Sequence, residues 1–251
     1  MTIDGINVAI AAGGRIGGAF AAETGTELKA LAPIGASTIL ERTIAAAADF
    51  GARRIVVLGD AEIAARCDGR VERVLPDRGD GAANMLACLR AFSEDVEPSV
   101  TLLLAGDLPF IDAAALRRYV EAVPASAVAL GICSGDEYRA RFPGAPVNGV
   151  ILNGERIVNA GAFVVPRHAV DRVARESAAF FQARKYPWRM AMRAGFGILA
   201  AHALGRLDVG RIERRAARVL GSAVAAIRRC PPELCFDVDS LDDYHYARAH
   251  T

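Results

Sequence analysis

Four stretches of this chain hold residues able to manage phosphate charge and a divalent cation. One is the apolar run Leu102-Leu-Leu-Ala-Gly-Asp107-Leu-Pro-Phe. If the run is a strand, Asp107 sits at the carboxyl edge of a sheet, where open α/β folds bind ligands. Beside a polyphosphate such a carboxylate is a natural magnesium ligand, because Mg²⁺ takes one or two carboxylates plus phosphate oxygens and water. Helix capping would leave Asp107 redundant, since Asp112 is well placed for that role. Near the other end stands Phe236-Asp-Val-Asp-Ser-Leu-Asp-Asp243. Strand alternation sends Asp237 and Asp239 to one face, ~6.5 to 7 Å apart, so either can supply a further ligand. Helix capping accounts for Ser240, Asp242 and Asp243 but less readily for two acids within an apolar run.

The third stretch is Val8-Ala-Ile-Ala-Ala-Gly-Gly-Arg-Ile-Gly-Gly18. Glycines after a first strand let the backbone approach an anion, which the N–H groups then cradle. A tight βα turn is the plain alternative. The fourth is Lys29-Ala-Leu-Ala-Pro-Ile-Gly35, whose lysine can fold back onto the same phosphates. Lys29 and Lys185 are the only lysines in an arginine-rich chain. A lysine kept against that bias fits a place where a compact, rotatable ammonium is needed. Two familiar phosphate sites are excluded. There is no Gly-x-Gly-x-x-Gly with an acid about twenty residues on, as a dinucleotide fold requires, and no Gly-Lys-Ser/Thr of a P-loop.

The elements that must position these residues follow from hydrophobic patterning. Short β-branched runs predict strands at Asn7–Ala11, Arg54–Leu58, Val71–Leu75, Val100–Ala105, Ala127–Ile132 and Ala162–Val165, with later ones at Ala225–Ile227 and Cys235–Val238. Helical spacing predicts Thr38–Phe50, Ala82–Phe92, Ala113–Ala122 and Leu241–His250. Alternation of the two implies a mainly parallel sheet covered on both faces. Residues 167–222 break the pattern with two or three consecutive helices, which reads as a helical insertion or lid on one domain spanning 1–251.

Composition sets outer bounds. With 53% hydrophobic and 24% charged residues the chain is globular. Its net charge of +1 argues against bulk binding to nucleic acid. The start MTIDGINVAIAAGG has no basic leader region and reads as a first strand. No apolar run approaches the ~18 residues of a spanning helix, so a cytoplasmic protein is expected. The five cysteines lack the spacing of a metal site and read as reduced and structural.

In order along the chain, Ala11-Ala12-Gly13-Gly14, Lys29 through Glu41, Gly106-Asp107-Leu-Pro109 and Asp237-Val-Asp239-Ser-Leu-Asp-Asp243 resemble the MobA-like NTP transferases. That family includes molybdenum-cofactor guanylyl- and cytidylyltransferases and sugar-1-phosphate nucleotidyltransferases. The resemblance covers residues 6–165 and 225–248. It implies a Rossmann-like three-layer α/β sandwich of the nucleotide-diphospho-sugar transferase type, with a mostly parallel mixed sheet. It implies magnesium-dependent transfer of NMP from an NTP, CTP or GTP, onto a phosphorylated acceptor. Nucleotide contacts then fall to Ala11, Ala12, Gly13, Gly14, Arg15, Lys29, Gly106 and Asp107, with Lys29, Asp107 and Arg15 in catalysis. Gly81-Ala-Ala-Asn84 resembles the loop that reads the base, and Asn159-Ala-Gly161 the segment near the acceptor. Asp107, Asp239 and alternatively Asp237 become the metal ligands.

Two other classes share these features. A glycosyltransferase of the same architecture would want Asp-x-Asp on its central strand, and a nucleotide sensor would bind without turnover. Between residues 178 and 205, Phe180, Phe181, Trp188, Met190 and Phe196 accompany Arg184, Lys185, Arg189 and Arg193. That mixture suits a lid over an anionic acceptor, with Arg184 and Lys185 on its phosphate, or a peripheral contact at the inner membrane face with a lipid-linked acceptor. A helical hairpin packed on the sheet or on a second copy in a homodimer is the alternative.

Overall fold

The computed structural model describes residues 5–67, 69–95, 100–183 and 195–251. The β-branched runs assemble into one mixed sheet. Its strands are β1 (Ile6–Ala11), β4 (Arg54–Gly59), β5 (Arg73–Pro76), β6 (Val100–Ala105), β7 (Val128–Ser134), β8 (Val150–Leu152), β9 (Glu155–Pro166) and β10 (Val224–Ile227). A small hairpin of β2 (Pro33–Ile34) and β3 (Ser37–Thr38) stands apart. Across the main sheet the order is β10-β7-β9-β6-β1-β4-β5, with β8 paired to β9. Strands β5, β4, β1 and β6 are parallel, as are β7 and β10, while β9 runs antiparallel between β6 and β7.

Residue alternation along the central strands divides the core into two layers. Val8, Ile10, Val57, Leu102 and Leu104 face one side, under α2 (Ile39–Phe50), α5 (Ala113–Glu121) and α10 (Leu241–His250). Ala9, Val56, Leu58 and Leu103 face the other, under α4 (Gly81–Arg90) and α7 (Val170–Ala183). Burial on both faces explains why these strands read as unbroken apolar runs. The result is the three-layer sandwich expected from the sequence.

The helix starts are set by local polar chemistry. Thr38 and Glu41 form a capping box on α2, and Ser240 and Asp243 form another on α10. Asp112 caps α5 by accepting from Ala115 N–H at 2.7 Å. Shorter helices α1 (Gly18–Thr24), α3 (Ala61–Cys67) and α6 (Gly135–Arg141) lack the length for a periodic signal and were not anticipated.

Three expectations need correction. Cys235–Val238 is not a strand: after a 3-10 turn at Pro232–Leu234 the chain joins no ladder. Phe236 and Val238 are fully buried, so the apolar alternation reflects burial without sheet pairing. Strand β9 extends over 12 residues where four were expected, because its first half pairs with β7 and β8 rather than β6. Gly81–Asn84, likened to a base-reading loop, is the first turn of α4, as the helix expected from Ala82 implies, because Asp80 accepts from Ala83 N–H at 3.0 Å and starts the helix there.

Within 167–222 the described helices are α7, α8 (Phe196–Ala203) and α9 (Val209–Leu220). Val170 and Ala174 of α7 pack with Leu89 and Phe92 in the second core layer. Val209 of α9 packs with Ile132 and Ile157. Arg184, Lys185, Trp188, Arg189, Met190 and Arg193 lie outside the described residues. Among the described residues, no helix is long and apolar enough to cross a membrane. All five cysteines are buried and free.

Candidate active site

Strands β1 and β6 are neighbours in register, Ala11 beside Ala105, so their carboxyl ends open at one point of the sheet edge. The Gly106 N–H donates to Ala11 O at 2.9 Å and fastens the two loops together. A Cβ on Gly106 would stand 2.9 Å from Ala11 O and 3.0 Å from Ala12 Cα. Only glycine permits that approach. Asp107 follows at once, and its carbonyl accepts from Val238 N–H at 3.1 Å. That bond brings the carboxyl-terminal Asp237-Val-Asp239 segment over the end of β6.

Lys29 arrives from the other side. Ile16 N–H donates to Glu27 O and Lys29 N–H to Gly14 O, each at 2.9 Å. This short antiparallel contact lays the Lys29 side chain along Gly14, whose absent Cβ would lie 3.9 Å from Lys29 Cβ and Cε. The ammonium is clasped between Asp107 Oδ2 at 3.0 Å and Asp239 Oδ1 at 2.5 Å. Lys29 and Asp107 are largely buried, while Asp239 opens to solvent.

The charges respond to this crowding. Burial pulls the Lys29 pKa down, but Asp107 and Asp239 outweigh it and push the ammonium from 10.5 up to about 12. Burial raises the Asp107 carboxyl above its ordinary range, with Lys29 pulling against it and Asp239 adding to it. Asp237 is pushed to about 7, by burial first and then by Asp239 and Asp107. Three carboxylates thus face one ammonium, an electronegative pocket at the lip of a glycine loop.

The loop's far side is held by Asn84 together with Asp77, which the sequence did not single out. Asn84 Nδ2 donates to Asp77 Oδ1 at 2.8 Å, and Asn84 Oδ1 accepts from Arg78 N–H at 2.8 Å. A Cβ on Gly13 would meet Asp77 Oδ2 at 3.0 Å and Asn84 Nδ2 at 3.4 Å. Hydrogen bonds from Asn84 and the Gly79 amide hold the Asp77 carboxyl below its usual range. An acid directly after the strand ending in Pro76 was the available signal for Asp77.

Arg15 points elsewhere. Its guanidinium pairs with Asp60 at 3.0 Å and Glu27 at 3.5 Å. Asp60 also caps α3 through Glu62 and Ile63 N–H. Gly161 lies beside the Gly106-Asp107 turn, where a Cβ would meet Leu108 Cδ2 at 2.9 Å and Ala105 Cβ at 3.0 Å. Asn159 is exposed two residues earlier on β9, opposite Ile132. The structure therefore gathers Ala11 to Gly14, Lys29, Gly106, Asp107, Asp237 and Asp239 at one edge. Gly81 and Asn84 flank it through α4, with Gly161 on the other side.

Solved structures share the fold. No curated protein matches the sequence. A hypothetical transferase from Thermus thermophilus is similar in structure, with a TM-score of 0.79, 27% identity and coverage of 94% of this chain and 98% of that one. A Mycobacterium tuberculosis H37Rv protein solved in complex with manganese has a TM-score of 0.51 at 20% identity, covering 99% and 100%. A CMP:2-keto-3-deoxy-manno-octonic acid synthetase complexed with CTP has a TM-score of 0.56 at 12% identity, covering 98% and 97%. The last two likenesses concern the fold. A family model for the MobA-like NTP transferase domain spans residues 9–219, from the first strand through Asp107 and β9 to α9, and so the chain belongs to the MobA-like NTP transferase family.

Proposed function

We propose that the chain transfers NMP from an NTP, with CTP or GTP preferred, to a phosphorylated acceptor and releases pyrophosphate in a magnesium-dependent reaction. The observation that carries this reading is the Lys29 ammonium clasped between Asp107 and Asp239 beside the glycine loop. Two carboxylates already converge on one cation there, and oxygen donors of this kind suit Mg²⁺. Among the described residues no group of three or more His, Cys, Asp or Glu could hold a metal, so phosphate oxygens and water would complete the shell. Bound between Asp107 and Asp239, with Asp237 as alternate, Mg²⁺ would polarise the α-phosphate and neutralise charge that develops on it.

The chain's own residues do the positioning. Ala12 N–H is committed to Leu58 O, which leaves the amides of Gly13, Gly14 and Arg15, among the described residues, for the triphosphate. Lys29 exchanges its carboxylate partners for phosphate oxygens when nucleotide enters. Arg15, on an exposed guanidinium, exchanges Asp60 and Glu27 likewise. Asn84 and Gly81 shape the wall against the base. Asn159 and Gly161 border the acceptor, whose phosphate oxygen is already anionic and needs no strong base. Catalysis is mostly alignment and charge neutralisation. The CTP-bound synthetase and the manganese-bound protein support the choice of nucleotide and of a divalent ion.

The test is pyrophosphate release across four NTPs and a panel of phosphorylated small molecules and lipid-linked phosphates. Asp107→Asn keeps the shape and removes one charge, so turnover on the accepted pair should vanish while the thermal melt stays cooperative. Near-full magnesium-dependent activity in that variant would sink the assignment.

A further inference from the structure

Helix α9 reads Val209-Gly-Arg-Ile-Glu-Arg-Arg-Ala-Ala-Arg-Val-Leu220. Arg211, Arg214, Arg215 and Arg218 follow the i, i+3, i+4, i+7 spacing and form one stripe. The opposite face is turned to the protein. Val209 packs with Ile132 and Ile157, and Glu213 Oε1 accepts from Ala226 N–H at 2.7 Å. Glu213 Oε1 is thus engaged on the sheet side of the helix. Asp208, the N-cap, reaches only the first of the arginines among the described pairs, at 3.4 Å from Arg211 Nε.

The stripe lines one wall of a cleft of about 280 Å³, and the other wall is Gly195-Phe196-Gly197-Ile198 at the start of α8. Phe196 is 86% exposed, and Leu199, one turn along the same face of α8, is 38% exposed. Leu204 and Ile212 are also exposed nearby in the chain. A solvated arginine helix gives no reason for a fully presented phenylalanine beside it. A soluble polyanion would add charge pairing along the stripe but leave these apolar side chains in water. An anionic bilayer meets both, with phosphates at the depth of the arginines and acyl chains beneath.

We propose that the α8–α9 face docks on an anionic phospholipid bilayer, the arginine stripe lying on headgroup phosphates and Phe196 and Leu199 inserting below them. The contact is peripheral and independent of nucleotide transfer, so it is measured without NTP or metal.

The experiment is co-sedimentation of the full chain with vesicles of phosphatidylcholine alone and of phosphatidylcholine mixed with phosphatidylglycerol, at low and high salt. Binding should require the anionic lipid and weaken with salt. A guanidinium near such a surface contributes roughly fivefold to partitioning, so Arg214→Gln/Arg218→Gln should weaken binding about 25-fold. A control pair on α5 and α6, Arg117→Gln/Arg139→Gln, should bind like the parent. Phe196→Ser, at an exposed position that leaves the fold intact, should also weaken binding while keeping its salt dependence. No binding to anionic vesicles at low salt overturns the proposal. So does equal capture by neutral vesicles, or equal loss in the control pair. Binding that Phe196→Ser leaves unchanged and that soluble polyphosphate abolishes would show a soluble-polyanion site instead.

Discussion

Replacing Lys29 with methionine keeps the stem of the side chain and removes the one cation between Asp107 and Asp239. Holding an ammonium at about 12 instead of 10.5 corresponds to roughly 2 kcal/mol in favour of the charged, folded form. A raised ammonium pKa stabilises fully below the unfolded value of 10.5 and is lost as pH rises through 12, so at neutral pH the whole effect is present. Asp239 is 58% exposed and screened by solvent, so most of the loss should fall on the more buried Asp107. Lys29→Met should therefore lower stability by about 2 kcal/mol at pH 7, a fall in Tm of about 4–8 °C for a domain of this size. At pH 5 the deficit should shrink, because Asp237, raised to about 7, then takes up a proton and less negative charge is left without a cation. The same logic makes the ammonium a competitor for the metal. Adding Mn²⁺ or Mg²⁺ without nucleotide should raise the Tm of the variant more than that of the parent, since the cation no longer displaces Lys29. Thermal melts at both pH values, with and without metal, read all of this. A variant as stable as the parent at pH 7, or a metal shift no larger than the parent's, would refute the reasoning.

Other outcomes follow from the same geometry. Gly106→Ala should cost about 1–3 kcal/mol in denaturant melts, because its Cβ meets the backbone of Ala11 and Ala12 at 2.9 and 3.0 Å; an unchanged midpoint would contradict this. Gly13→Ala meets the Asp77 and Asn84 side chains first, and these can shift, so stability should hold while calorimetry shows weaker NTP binding. Asp237 is a carboxylate raised from 3.8 to about 7, so it costs the fold stability increasingly as pH climbs through that interval. Asp237→Asn should accordingly raise Tm more at pH 8 than at pH 5, and an equal gain at both would show that burial of the charge is not the cause.

Much of this protein was legible in one dimension because the signals are local. Apolar runs long enough to be buried on both faces marked β1, β4 and β6, and polar residues that satisfy their own neighbours' amides marked the starts of α5 and α10. Glycines and a carboxylate directly after those strands placed Gly13, Gly14, Gly106 and Asp107 at the sheet edge, since a strand end is a position in sequence as well as in space. What the tertiary structure alone decided concerns partners far apart in the chain. Lys29 and Asp239 are 210 residues apart and meet through a 2.5 Å contact. That meeting depends on two backbone bonds, Lys29 N–H to Gly14 O and Val238 N–H to Asp107 O, which no residue type announces. For the same reason the segment around Asp237 read as a strand: alternation reports which side chains are buried, but not whether the backbone between them finds a ladder. Arg15 reads as a phosphate ligand by its place in the glycine loop, yet its direction is set by Asp60 and Glu27, 45 and 12 residues away. Burial of a carboxylate, and with it the upward shift of Asp107 and Asp237, is a property of everything packed around it, and so it exists only once the chain has folded.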